Sequence, residues 1–389
     1  MNNPEWLLLF FVAIAVGYWL GLRDGRRRQA RRTDGLSRQY LQGLNFLLNE
    51  EPDKAVDIFV NSLDVNEYTV ETHLSLARLF RKRGEMDRAT LIHTSLLESG
   101  KLPEDIHDDV ELELARDYMA GGLFDRAEVI LQQMLDRGTR HRDAVMRALM
   151  QLFEQEKDWH NALGIGDRLL REDATVAPVL AHYCCEMAER MHGEAEGNAA
   201  RRTLRRALAY DPGCVRASLQ LGRVEMASGN HEAAVRAWRR VRRQDRVYFD
   251  LVLDDLERAY EAMDKGEEFT RYLAKVCVEQ PGTAVVLKLA HRLRQRYGEK
   301  AASLFIADYM KAHPTVKGLD RIIDLNLHQA EGATREHLGI LKNLTASLLA
   351  RQATYQCGDC GFEAHKLHWQ CPTCKHWGTL RPLPDLEAR

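Results

Sequence analysis

The feature that most constrains this chain is a pattern that returns about every 34 residues. A small residue is followed three positions on by a large apolar one, and twelve positions on by an alanine behind a short polar turn. The instances are Gly43/Phe46/Ala55, Ala77/Phe80/Ala89, Ala115/Tyr118/Ala127, Met150/Phe153/Ala162, Ala188/Met191/Ala200, Gly222/Glu225/Ala234 and Ala290/Leu293/Ala302. Their alanines are spaced 34, 38, 35, 38, 34 and 68 residues apart. Since 68 is twice 34, one degenerate unit lies between Ala234 and Ala302, with Glu268 expected at its alanine position in the turn DKGEEF.

Such spacing predicts helix pairs. The small residue on the first helix lets the second approach closely, and the alanine sits at the same crossing, where a larger side chain would push the helices apart. Pro212 and Pro314 fall twelve residues after Ala200 and Ala302, where they stop the second helix. This is the tetratricopeptide repeat (TPR) pattern, and it predicts an all-α TPR superhelical solenoid of about eight to nine units over residues 37–350. No single unit buries its own face, so stacking creates the core, and the concave face typically holds an extended peptide or a partner helix. Groove specificity in such arrays rests on a few residues of each first helix, which one sequence does not single out. The scattered Cys184, Cys185, Cys214 and Cys277 read as small buried residues of these helices.

Nothing in the chain argues for chemistry: there is no Gly-rich phosphate loop, no nucleophile elbow and no His-Glu metal helix. A net charge of −2 points to no bulk polyelectrolyte partner. The segment RRTLRR…RAWRRVRRQDR invites a nucleic-acid reading. Its arginines are interleaved with acids and come with no RNA-binding module, so they are expected to be solvated helix faces.

Residues Trp6–Leu22 carry no charge, and as a helix they would span about 25 Å at 1.5 Å per residue, the short end of a membrane span. Trp6, Tyr18 and Trp19 suit the interfacial aromatic belts. Arg23, Arg26, Arg27 and Arg28 follow at once, with Arg31 and Arg32 beyond. A cleaved signal peptide would carry its positive charge before the apolar run. The expectation is a transmembrane anchor at 1–22, an arginine-rich juxtamembrane linker at 23–36, a periplasmic N-terminus and a cytoplasmic remainder.

The last segment reads YQCGDCGFEAHKLHWQCPTCKHWG, two C-x2-C pairs separated by ten residues. Each pair forms a tight turn that points two thiolates at one ion, and two such turns make a tetrahedral S4 cage. Cys357, Cys360, Cys371 and Cys374 are therefore the expected ligands of one metal ion, within a rubredoxin-like domain at 351–389. The S4 set suits zinc and iron alike. Zinc would be redox-silent, whereas iron would leave a redox sensor or electron carrier as the rival reading. His365, His368 and His376 are surplus to four thiolates and are expected at the surface or behind the ligands. Trp369 and Trp377 are expected to pack over the knuckles as apolar cover. So small a unit would not hold its fold without the ion.

The order of anchor, arginine flank, TPR units and terminal knuckles resembles the lipopolysaccharide assembly protein B family of Gram-negative bacteria. The phrases LSRQYLQGLNFLLNEEPDKAVDIF, HLSLARLFRKRGEMDRA, ARDYMAGGLFDRAE and YQCGDCGF…HWQCPTC carry the likeness along essentially the whole chain. The resemblance implies a non-enzymatic inner-membrane adaptor facing the cytoplasm. It implies that the adaptor works with the membrane protease FtsH to promote degradation of the lipid A deacetylase LpxC, and gathers lipopolysaccharide synthesis and transport proteins at the membrane. It also implies metal binding through Cys357, Cys360, Cys371 and Cys374. Self-association is compatible with it, and nucleic acid is not an expected partner.

Overall fold

Close helix crossings dominate the computed structural model, which describes residues 67–384 apart from 101, 192–193, 280 and 328–329, with a few isolated positions earlier. The expected anchor, the arginine flank with Arg23, Arg26, Arg27 and Arg28, and most of the first repeat lie outside the described residues. Among the described residues, no helix is long and apolar enough to cross a membrane. The chain divides into two compact units, one to Ile165 and one from Gly166.

The first unit contains α1 (Glu67–Lys82), α2 (Met86–Glu98), α3 (Glu104–Ala120), α4 (Phe124–Asp136) and α5 (Arg142–Glu156), and α6 (Trp159–Leu169) crosses the division. Ala77, Ala89, Ala115, Ala127 and Ala162 are all fully buried, as small residues at helix crossings should be, and so is the large apolar Phe80. A buried polar lattice reinforces the apolar contacts. Arg81 on α1 donates to Glu113 and Asp117 of α3, and Asp117 is also hydrogen-bonded to His93 Nδ1 of α2 at 2.5 Å.

The second unit continues with α7 (Ala177–Glu189), α8 (Glu194–Tyr210), α9 (Val215–Ala227), α10 (His231–Gln244), α11 (Leu253–Ala262), α12 (Gly266–Glu279), α13 (Thr283–Tyr297), α14 (Glu299–Ala312), α15 (Val316–Leu327) and α16 (Gly332–Arg351). A 3₁₀ segment, Arg246–Val252, precedes α11. Gly222 shows why its position must be small: a Cβ there would lie 2.1 Å from Trp238 Nε1, on a ring that is fully buried and donates to the Leu219 carbonyl at 3.2 Å. Glu225 takes the place of a large apolar residue and is buried. Burial alone would raise its carboxyl pKa, but hydrogen bonds from Arg201 and Asn230 hold it below the ordinary value.

A turn shared by five hairpins fixes the register of the repeat. In each, the backbone N–H five residues after the large position donates to that residue's carbonyl: Glu85 to Phe80, Leu123 to Tyr118, Asp158 to Phe153, Asn230 to Glu225 and Lys265 to Tyr260. One residue earlier the chain is left-handed, at Gly84, Gly122, Lys157, Gly229 and Asp264. This register corrects the degenerate unit. Counting from Tyr260, the alanine position falls on Phe269, whose N–H bonds to the Lys265 carbonyl as that of Ala89 bonds to Glu85. Glu268 is instead exposed, while Phe269 is fully buried and stacks on Tyr260 at 5.4 Å.

After α16 the chain forms three short antiparallel strands, β1 (Tyr355–Cys357), β2 (Glu363–Ala364) and β3 (Leu380–Pro382), in the order β2-β1-β3. Tyr355 pairs with Ala364 on one side and with Pro382 on the other. A small core of Tyr355, Cys357, Cys371 and Leu380 lies beneath them.

Candidate metal centre and its docking face

The two C-x2-C segments fold into a matched pair of knuckles. In the first, Cys357 N–H donates to the Phe362 carbonyl at 2.8 Å and Gly361 N–H to the Cys357 carbonyl at 3.1 Å. In the second, Cys371 N–H donates to the His376 carbonyl and Lys375 N–H to the Cys371 carbonyl, both at 2.9 Å. The residue after each second cysteine is left-handed, Gly361 at φ 75° and Lys375 at φ 62°. The glycine adopts this freely, and the lysine is held there by the hydrogen bonds that close its turn.

The knuckles bring the four sulfurs together, all within 4.8 Å of one another. Across the two knuckles, Cys357 Sγ lies 3.8 Å from Cys374 Sγ and Cys360 Sγ lies 3.6 Å from Cys371 Sγ. A metal–sulfur bond of about 2.3 Å gives a tetrahedron whose edge is about 3.8 Å, so the donor set fits one tetrahedral ion. The surrounding dipoles favour thiolate. A hydrogen bond from Thr379 and the N–H groups of Cys360 and Asp359 draw Cys357 down to about 6. The His376 N–H acts the same way on Cys374, but desolvation and the neighbouring sulfurs outweigh it and push that thiol up to about 12. Four clustered sulfurs resist full ionisation unless a cation sits among them. His376 is exposed and its Nδ1 contacts Asp359 at 2.7 Å, tying one knuckle to the other from outside; His365 and His368 are exposed.

Trp369 and Trp377 depart from expectation: neither belongs to the core under the strands. Trp377 stacks on His182 of α7 at 5.2 Å, meets Tyr183 edge-on at 6.0 Å, and lies under the Arg216 guanidinium of α9 at 6.0 Å. Trp369 sits 5.8 Å from Tyr248, in the 3₁₀ segment before α11, and packs on the core around Trp238 and Phe249. A ribbon of three short strands with a core of four side chains has more aromatic surface than it can cover itself, and the array takes the surplus. Polar contacts fix the pose. Tyr248 Oη donates to the Leu380 carbonyl at 2.6 Å, and Arg381 lies 3.6 Å from Asp245.

The ribbon therefore lies across α7, α9 and the 3₁₀ segment that leads into α11, at the start of three successive hairpins. Sequence reasoning missed His182, Tyr183, Arg216, Asp245 and Tyr248, for no local pattern marks them. The contact is unusually polar for so buried a place. Burial, and then Arg216, push the His182 imidazole down to about 3, and its Nδ1 has no hydrogen-bond partner. Arg216 is buried and paired with Glu186 at 2.8 Å and Glu189 at 2.5 Å.

Of the other arginines of the 201–246 stretch, Arg201 pairs with Glu225, Arg206 with Asp167 and Arg242 with Glu279. Cys184, Cys185 and Cys214 are buried and Cys277 is half-buried; burial pushes the Cys184 thiol up to about 12.

These features define a class: a TPR solenoid protein carrying a four-cysteine, rubredoxin-like ribbon arranged for tetrahedral metal binding. The rubredoxin metal binding domain family matches residues 355–382, and tetratricopeptide repeat families match 72–106 and 192–254. The chain is 35% identical over 383 residues to lipopolysaccharide assembly protein B of Escherichia coli K12, with 98% of each chain covered. It is 31% identical over 390 residues to the Haemophilus influenzae protein of the same name, again with 98% of each covered. A solved tetratricopeptide repeat protein from Parabacteroides merdae aligns over 72% of this chain and 99% of its own at 14% identity, with a TM-score of 0.35. The chain belongs to the lipopolysaccharide assembly protein B family.

Proposed function

We propose that this protein is a non-enzymatic adaptor for lipopolysaccharide assembly, tethered to the inner membrane by residues 1–22 with the repeats in the cytoplasm. The observation that carries the adaptor reading is the ribbon seated on α7, α9 and the 3₁₀ segment before α11. A clip so placed shapes a protein-binding surface rather than presenting a reactive centre. Among the described residues, the one cluster arranged for metal binding by thiolates is Cys357, Cys360, Cys371 and Cys374. These four would hold a single zinc or iron ion, and its role is to close the two knuckles on each other.

The name borne by the relatives supports the pathway. In this reading the array presents the deacetylase LpxC to the membrane protease FtsH and gathers lipopolysaccharide enzymes nearby. The test is crosslinking and affinity capture of the full chain from native membranes, with LpxC followed after depletion. FtsH should co-purify and LpxC should accumulate on depletion. An unchanged LpxC level together with no FtsH in the captured material would refute the proposal. An absorption spectrum of the purified chain separates a colourless zinc form from a red iron form.

A further inference from the structure

The last helix of the array is amphipathic the wrong way round. On α16, Ile340, Leu341, Leu344 and Leu348 are 58%, 48%, 57% and 54% exposed. They recur at the spacing of a coiled-coil seam, three and four residues apart. The side that meets α15 is held by polar contacts beside the half-buried Leu338 and Leu349: Thr345 donates to Asp320 at 2.7 Å, and Lys342 pairs with Asp320 at 2.7 Å and Asp324 at 3.6 Å. Thr345 is the buried residue of this helix. Terminal helices of solenoids normally show solvent a polar outer face, because no further repeat covers them. A leucine seam in that position is a contact surface.

We propose that this seam is a homodimer interface, with α16 of one chain packed antiparallel on α16 of a second copy about a twofold axis at Leu344. The charges select this occupant and this direction. With Leu344 on the axis, Ile340 faces the partner's Leu348, and Glu336 comes beside the partner's Arg351. Glu336 and Arg351 are both exposed, at opposite ends of the seam. A parallel pair would set Glu336 against Glu336 and Arg351 against Arg351. An isologous contact of this kind uses the same patch twice and closes on itself.

Two measurements on the full chain test this. In mild detergent, light scattering should give the mass of two chains, and the double variant L344E/L348E should give one, with unchanged helical content and bound metal. The dissociation constant should rise more than about 100-fold, since the two carboxylates introduced at position 344 would meet on the axis and each one introduced at position 348 would be set against the partner's Ile340. In native membrane vesicles, where no detergent competes for the seam, co-expressed Ile340→Cys and Leu348→Cys chains should crosslink under mild oxidation above the wild-type background. Ile340→Cys alone should not. A wild-type mass of one chain with no crosslink in vesicles overturns the proposal. So does a dimer unaffected by L344E/L348E, or crosslinking of Ile340→Cys chains to each other, which would mean another surface or a parallel seam.

Discussion

His182 makes the ribbon's seat sensitive to mild acid. Its imidazole is buried under Trp377 and Trp369 beside the Arg216 guanidinium, which lowers its pKa from 6.5 to about 3. A folded value below the unfolded one means stability that is complete above pH 6.5 and declines as pH falls from there toward the folded pKa. At about 1.36 kcal/mol per unit, the folded state should lose about 2 kcal/mol between neutral pH and pH 5 from this group alone. The carboxylates of Glu113 and Glu225, which their arginine partners hold below the ordinary 4.5, add their loss only at lower pH. The measurement is the urea midpoint for unfolding of the second unit at pH 7.5, 6 and 5, read by hydrogen exchange in residues 367–380 and in α7. Bound metal is assayed in every sample, because protonated thiols release it. His182→Phe keeps an aromatic ring beneath Trp377 and removes the titration. Its midpoint should be nearly flat over this range where the parent falls. Equal slopes in parent and variant, with metal retained, would refute the reasoning.

The other expectations rest on packing. Cys371→Ser should release the ion and raise hydrogen exchange in α7, α9 and Arg246–Val252, the segments the ribbon covers, while α1–α4 keep their protection. Uniform exchange across both units, or none in α7, would contradict the docking described. Gly222→Ala should cost about 3 kcal/mol and lower the melting temperature. Its methyl group meets the buried Trp238 ring, which is hydrogen-bonded and has no room to turn away.

The repeat was legible in the sequence because the physics behind it is local and strict: two helices that cross closely need small residues at the crossing. Every described alanine of the pattern is buried. The degenerate unit misled because a polar turn was counted from its charged residues. Its true register is set by the bond from Lys265 N–H to the Tyr260 carbonyl, and there an aromatic pair, Tyr260 on Phe269, replaces the small-residue crossing. The sulfur cluster was equally legible, since two tight turns at short spacing leave few ways to place four thiols. The tryptophans beside it were not. Their partners lie at His182, Tyr183 and Tyr248, far back in the chain, and nothing within the ribbon's own sequence distinguishes a ring that covers its own domain from one that covers another.

A stack of repeats ordinarily unfolds piece by piece, since each unit answers only to its neighbours. The bond from Tyr248 to Leu380 joins residues 132 apart and changes that rule for everything between them. Closing a loop of that length costs on the order of 4 kcal/mol of chain entropy, recovered only when the ribbon is seated. The helices from α11 to α16 thus become a closed circuit: one that opens strains the clasp, and a clasp that opens returns them to independence. Chain synthesis adds a direction to this circuit. The covered face, residues 182–252, is made more than a hundred residues before its cover and stays open until the ribbon has been synthesised and folded.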